Sequence, residues 1–169
     1  MTPYERVKLS RKRTANVFPL PSPLDCIRYS LCELCEYDDA MLRLERIGDK
    51  RNNDRQPDPR AELGQALYML LSAAVQWGIK PKGSYRLSEQ TRLHLYSSAL
   101  TWLTSFTLSP TSAHLVPPFS AARRVALGVP VSGAYNVLCA LATLHGWDLD
   151  ELIEDTCAAF EAKHAAVQP

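Results

Sequence analysis

Residues 58–79, DPRAELGQALYMLLSAAVQWGI, decide the fold class of this chain. Asp58 followed by Pro59 is an N-cap with proline at the first helical position, a pair that commonly starts a helix. Apolar residues then recur at helical intervals until Gly78, and glycine commonly ends helices. No alternation of apolar and polar residues of the kind that marks a strand occurs in the chain. The sequence therefore predicts an all-α protein.

Further helices are predicted on both sides of this stretch. Ser22 is a suitable cap before Pro23, and apolar residues then recur at helical spacing to about Glu45. The same criteria predict helices over 88–108, 133–145 and 149–165, and a short helical piece over 120–127. Loops are expected over 48–59 and 109–120, where turn-forming residues and prolines are frequent. The expected architecture is a bundle of about five helices.

Composition indicates one globular domain, expected over residues 22–169. The chain has 169 residues, of which 46% are hydrophobic and 22% charged, and its net charge is +1. A net charge this small produces no strong electrostatic field that would attract nucleic acid. Residues 1–21 are predicted to form a basic, mobile N-terminal tail, because they concentrate Arg6, Lys8, Arg11, Lys12 and Arg13. A nucleic-acid contact at this tail is the less favoured alternative.

Neither a membrane segment nor a zinc site is expected. No stretch is expected to approach the ~20 apolar residues of a membrane span, and the N-terminus has no apolar run ahead of a small-residue cleavage site. The protein is predicted to be cytoplasmic, or in the host cytoplasm if a phage encodes it. Its five cysteines, an odd number, fit reduced thiols. Cys32 and Cys35 form a C-x-x-C, but no second ligand pair follows at zinc-finger spacing.

Two pairs of oxygen-bearing side chains stand at helical spacing. The first is Glu33-Leu-Cys-Glu36 and the second is Glu62-Leu-Gly-Gln65. Residues at i and i+3 are neighbours on a helix surface, so the two pairs can face each other across packed helices. Such a cage offers the oxygen ligands that Mg2+ requires. The alternative is that the glutamates belong to a solvated helix face, as such pairs usually do.

The predicted loop between the two pairs is rich in donors for phosphate. Its candidate substrate-binding residues are Lys50, Arg51, Asn52, Asn53 and Arg55. A solvated turn is the alternative reading of this composition. Weaker candidates are Arg123 and Arg124 for phosphate contacts and Tyr37, Tyr68 and Trp77 for stacking on a base. Surface charge and core packing, respectively, are the favoured interpretations of these five residues.

The order of these motifs resembles a known enzyme family. E-x-x-E at 33–36, GDKRNN at 48–53 and DPRAELGQALYMLL at 58–71 are similar to the MazG-like all-α nucleoside triphosphate pyrophosphohydrolases, whose metal motif is E-x-x-E, a spacer and E-x-x-D. The likeness covers residues 22–79 well. His145-Gly-Trp-Asp-Leu149 also resembles the link before the last helix of the family, whereas residues 85–130 match less clearly.

The resemblance implies both a reaction and an assembly. Family members cleave (d)NTPs between the α and β phosphates, giving a nucleoside monophosphate and pyrophosphate, with Mg2+ or Mn2+ as cofactor. Some phage relatives act on purine deoxynucleotides such as dGTP. The carried-over metal ligands and catalytic residues are Glu33, Glu36 and Glu62. A homodimer or a dimer of dimers is expected, with the site near a subunit boundary.

Gln65 departs from the family motif, because it occupies the position of the aspartate. Its amide oxygen can coordinate a metal but carries no charge, so affinity for a second cation should fall. Asp39, three residues beyond Glu36, is a candidate replacement ligand; otherwise the site works with fewer ligands, or the chain is inactive. The alternative function is therefore a catalytically silent nucleotide-binding or scaffold protein of the same fold.

Overall fold

The computed structural model describes residues 1–15, 21–45, 58–83, 91–108 and 121–165. For residues 121–124 it describes the backbone and not the side chains. Within these ranges all regular structure is helical, which confirms the all-α prediction. The count of about five helices is wrong by one. The elements are α1 (Pro3–Thr14), α2 (Pro23–Glu45), α3 (Pro59–Trp77), α4 (Arg92–Leu108), α5 (Ala121–Leu144) and α6 (Leu149–Ala165).

Helix α3 lies at the centre of the bundle. It packs against α1, α2, α5 and α6, and its buried residues include Leu63, Leu67 and Leu71. A helix with apolar residues on all sides is typically surrounded by other helices. The predicted ends are confirmed: the Asp58 side chain accepts the Ala61 backbone N–H at 3.0 Å, and Gly78 ends the helix in the left-handed region.

Helix α2 lies against α3 and α4. Its predicted start is confirmed, because the Ser22 hydroxyl accepts the backbone N–H of Asp25 at 3.2 Å. Ile27 and Leu34 belong to the buried face of α2. In the contact with α3, Ser30 donates a hydrogen bond to the Ala66 carbonyl at 2.8 Å, so its hydroxyl is satisfied despite complete burial.

Residues 3–14 form a packed helix, which corrects the prediction of a mobile basic tail over 1–21. Helix α1 begins with a capping box between Thr2 and Glu5 and packs against α3 and α6. Its buried side is mostly polar: Arg6, Val7, Ser10, Arg11 and Thr14. Hydrophobic periodicity could not reveal this helix, because only one residue of its buried side is apolar.

Two basic residues of α1, Arg6 and Arg13, pair with acidic residues of α6. Arg6 donates to Glu154 at 2.6 and 2.9 Å and to Glu161 at 2.6 Å. Arg13 is also 3.1 Å from Glu161. Hydrogen bonding to Arg6 lowers the pKa of Glu154. These two arginines of the N-terminal charge run therefore belong to an ion-pair network between α1 and α6.

Residues 121–144 form one continuous helix, whereas a short piece and a separate helix from 133 were predicted. Pro130 lies inside α5. Proline removes one backbone donor and usually kinks or ends a helix, which is why the sequence favoured a break here. Packing overrides this local preference, because α5 lies along α4 and α3 and contributes Val131, Leu138 and Leu141 to the core.

The expectation that no stretch approaches a membrane span needs correction. Residues 125–144 are 20 residues long with a mean hydropathy of 1.7, enough to cross a bilayer by length and composition alone. Core helices of soluble proteins share these properties, and 39% of this window is buried inside the bundle. The hydropathy of α5 by itself is therefore weak evidence for a membrane span.

Candidate metal centre and adjoining cavity

Three glutamates converge where α2 meets α3. Glu33 and Glu36 lie one turn apart on α2, and Glu62 lies in the first turn of α3. One carboxylate oxygen from each can be chosen so that all three atoms lie within 4.8 Å of one another. Glu33 and Glu62 are half-buried and Glu36 is exposed. We call these three residues the glutamate triad.

The donor chemistry of the glutamate triad fits a hard divalent cation. Three carboxylates this close repel one another, and a cation between them relieves that repulsion. Oxygen-only ligands suit Mg2+ and Mn2+, and Mg2+ usually keeps several waters besides one or two carboxylates. The side chains that the sequence nominated as ligands therefore form a set compatible with Mg2+ or Mn2+.

Gln65 and Asp39, the two further ligand candidates, differ in position. Gln65 is one turn beyond Glu62 on α3, and its amide nitrogen donates to the Glu62 carboxylate at 3.1 Å. Asp39 lies outside the triad and forms an ion pair with Arg43, four residues on along α2. Gln65 therefore lies at the triad, whereas Asp39 is paired with Arg43 outside it.

The candidate substrate-binding residues of the predicted loop lie outside the part of the chain that the structure describes. Lys50, Arg51, Asn52, Asn53 and Arg55 lie outside the described residues, as do the side chains of Arg123 and Arg124. These candidates stay predictions.

The three aromatic candidates for base stacking separate into core and cavity residues. Tyr37 is buried with its hydroxyl 2.7 Å from Nε2 of His145. Trp77 is buried and stacks on Phe106 with ring centroids 5.6 Å apart. Both therefore fit the core interpretation. Tyr68 is also buried, but it lines a cavity next to the triad.

This cavity has a volume of about 660 Å³, adjoins the triad at Glu33 and is lined by residues of α1, α2, α3 and α6. Glu33 and Gln65 form part of its wall. Its other notable lining residues are the aromatic Tyr29, Tyr68 and Phe160 and the cationic Arg11, Arg60 and Lys163. Small-molecule sites are commonly concave, largely apolar and of this size, with a few polar groups. We call it the triad cavity.

Sequence reasoning did not find most of this wall. Arg60 is in the first turn of α3 and pairs with Asp155 of α6 at 2.7 Å. Phe160 and Lys163 come from α6, almost a hundred residues after the triad. Their helical spacing from Thr156 was a usable signal that they share a face. No local pattern, however, indicates that this face meets α3 beside the triad.

A glycine allows α6 to approach α3 at this position. A Cβ added to Gly64 would stand 2.3 Å from Oγ1 of Thr156 and 3.1 Å from Cδ1 of Leu152. Both residues also line the triad cavity. The close contact therefore fixes the α6 wall of the cavity next to Gln65.

Comparison with models of known protein families, with curated proteins and with solved structures gives no match to this chain. The resemblance to the MazG-like family accordingly stays a prediction based on the motifs quoted above.

Proposed function

We propose that this protein is a metal-dependent nucleoside triphosphate pyrophosphohydrolase of MazG-like type. The observation that carries the proposal is the convergence of Glu33, Glu36 and Glu62 from two helices to within 4.8 Å. These are the residues that the motif comparison nominated as ligands of Mg2+ or Mn2+. The adjoining triad cavity supports the proposal, because it offers room for a small molecule beside the carboxylates.

The proposed reaction adds water to the α phosphorus of a (d)NTP. The bond between that phosphorus and the bridging oxygen of the β phosphate breaks, and the products are a (d)NMP and pyrophosphate. When bound, Mg2+ or Mn2+ neutralises phosphate charge and lowers the pKa of a bound water. The glutamate triad would hold the cation, and Gln65 orients the Glu62 carboxylate through its 3.1 Å hydrogen bond.

The lining of the triad cavity suits a nucleotide. Lys163 places positive charge at its wall, which favours phosphate, whereas Arg60 is paired with Asp155. Tyr29 is 51% exposed and also lines the cavity. Aromatic rings commonly stack on bases. A purine deoxynucleotide such as dGTP is a reasonable first substrate to test, because phage members of the resembled family use such nucleotides.

The experiment that tests the proposal is pyrophosphate release from the eight common dNTPs and NTPs with Mg2+ or Mn2+. Running the reaction in ¹⁸O-labelled water identifies the phosphorus that is attacked. Attack at the α phosphorus places the label in the monophosphate, and attack at the β phosphorus places it in pyrophosphate. Turnover with label in the monophosphate is the expected result. A folded protein without turnover on the whole panel would contradict the enzyme proposal.

The second candidate function is a nucleotide-binding or scaffold protein without catalysis. Gln65 is the observation that favours it. A neutral amide stands where the family motif has a carboxylate, and its N–H rather than its oxygen faces Glu62. Saturable nucleotide binding together with absent turnover would select this function.

Gln65→Asp tests whether the neutral amide at position 65 limits metal binding. If the neutral amide limits binding of a second cation, the added carboxylate should lower the Mn2+ concentration for half-maximal turnover roughly 10-fold, the scale of a tuned metal site. Gln65→Asn is the matched control, because it shortens the side chain equally without adding charge. Equal metal dependence in both variants would show that Gln65 does not limit metal binding.

We also propose that the protein assembles as a homodimer or a dimer of dimers. Three apolar side chains of α4 and α5 are strongly exposed in one protomer: Leu93 at 66%, Val125 at 72% and Val129 at 62%. Exposed apolar side chains are typical of protein interfaces when another subunit covers them. Light scattering after gel filtration should give the mass of a dimer or tetramer, and Val129→Glu should lower it. A monomer at micromolar concentration would contradict the assembly proposal.

A further inference from the structure

Arg11 is a buried cation at the wall of the triad cavity. Only 4% of the residue is exposed. Its Nε donates to the Ser72 hydroxyl at 2.8 Å, and its Nη2 is 3.6 Å from the Met69 sulfur. Nη1 is buried and has no hydrogen-bond partner among the described residues. One end of this guanidinium is therefore without an acceptor.

Arg11 has no carboxylate partner among the described residues, although Glu33, Asp58 and Asp155 also line the triad cavity. Burial raises the pKa of Tyr68 to about 12 and that of Cys26 to about 11, so the two nearby acidic groups are neutral at physiological pH. A buried charge without a counter-charge is costly and is usually paired or hydrogen-bonded.

Arg6, on the same helix, is a buried arginine that has carboxylate partners and can be compared with Arg11. Arg6 is almost as buried, at 8%, and two glutamates of α6 occupy its guanidinium with three hydrogen bonds. Arg11 instead lies over the rings of Tyr68 and Phe160, at 4.9 and 5.1 Å from their centroids. Aromatic faces attract a cation but do not accept the hydrogen bonds of Nη1.

The position of Arg11 relates it to the triad. Its partner Ser72 is seven residues after Gln65 on α3, which at the rise of an α-helix is about 10 Å along the axis. Gln65 and Arg11 both line the triad cavity. An anionic group at Arg11 would thus belong to a ligand that extends along α3 away from the carboxylates.

We propose that Arg11 binds the terminal phosphates of the substrate, the part that leaves as pyrophosphate. This inference rests on the proposed function for the identity of the ligand. The guanidinium fork matches phosphate oxygens, and no carboxylate of the described residues occupies it although Arg11 lines the cavity. Binding of the phosphates at Arg11 compensates the buried charge and holds the chain of phosphates with its α phosphorus towards the triad.

The test compares Arg11→Met with Arg13→Met, using inorganic tripolyphosphate as the probe in metal-free buffer. Methionine keeps an unbranched side chain at this position while removing the charge. Arg13 is the control, because it is an exposed arginine of the same helix that is paired with Glu161. Calorimetric titration should show roughly 10- to 100-fold weaker binding for Arg11→Met and little change for Arg13→Met.

A thermal readout separates ligand binding from a structural role. Tripolyphosphate should raise the Tm of the natural protein and of Arg13→Met in a concentration-dependent manner, and should barely move that of Arg11→Met. If Arg11→Met lowers the Tm but keeps the full ligand-induced shift, Arg11 is structural and the inference is wrong. Should Arg11→Met fail to fold, Arg11→Lys, which keeps the charge without the fork, is used for the same comparison.

Failure of the Arg11 inference can be distinguished from failure of the proposed enzyme function, because phosphate binding and turnover are measured separately. Turnover of a (d)NTP with unchanged tripolyphosphate binding in Arg11→Met would overturn the inference and leave the enzyme proposal intact. Arg11-dependent tripolyphosphate binding without turnover on the nucleotide panel would support the anion site and contradict the enzyme. Stronger loss of binding for a deoxynucleoside than for tripolyphosphate would assign Arg11 to the base and overturn the inference as well.

Discussion

Glu33→Gln and Glu62→Gln are each expected to reduce (d)NTP turnover at least roughly 100-fold. Replacing a residue that merely supports a metal ligand costs 10- to 100-fold in affinity or activity, so replacing a ligand should cost no less. Glutamine keeps the size of the side chain and removes one negative charge from a cluster in which three carboxylate oxygens lie within 4.8 Å. Initial rates at several Mn2+ concentrations measure the effect and show whether added metal restores activity.

A control variant must leave the three carboxylates of the triad in place. Cys32→Ser is the control, because Cys32 is exposed beside Glu33 on α2 and offers no oxygen to the triad. Turnover should be unchanged in the control. Unchanged turnover in both glutamine variants would remove the triad from the mechanism.

Gly133→Ala is expected to lower the free energy of unfolding by about 1–3 kcal/mol, the usual cost of overpacking a core. A Cβ at this position would stand 2.6, 2.7 and 3.0 Å from three ring atoms of Trp102. The indole is a rigid group, so relief requires α4 and α5 to move apart. Urea denaturation followed by circular dichroism measures the change in midpoint.

Gly128→Ala, in the same helix, should instead raise the free energy of unfolding. The nearest atom to an added Cβ is Cγ2 of Ile79 at 4.0 Å, an ordinary contact. Alanine is favoured over glycine in a helix interior by about 0.5–1 kcal/mol, so this variant should be stabilised. Equal midpoints for the two alanine variants would show that the contact of Gly133 with Trp102 does not limit helix packing.

The sequence predicted most accurately where local chemistry decides the structure. Asp58 and Pro59 begin α3 and Gly78 ends it, because capping and the left-handed conformation are properties of a few adjacent residues. The meeting of Glu33, Glu36 and Glu62 could also be predicted, since it requires only that two neighbouring helices pack with these turns facing each other.

The sequence predicted poorly where distant contacts override local preference. Helix α1 was missed because its buried side is polar, and its partners Glu154 and Glu161 lie some 150 residues away. The continuous helix through Pro130 was missed because packing outweighs the lost hydrogen bond. The triad cavity could not be predicted, since its walls combine residues from both ends of the chain.

The pairing of α1 with α6 also sets the order in which the protein can be completed during synthesis. Arg6 emerges from the ribosome long before Glu154 and Glu161, and synthesis runs at ≈ 5–20 residues per second. Until α6 is available, the buried side of α1 lacks its acidic partners and the triad cavity lacks its Phe160 wall. A nascent chain therefore carries all three glutamates of the triad well before it can enclose a ligand.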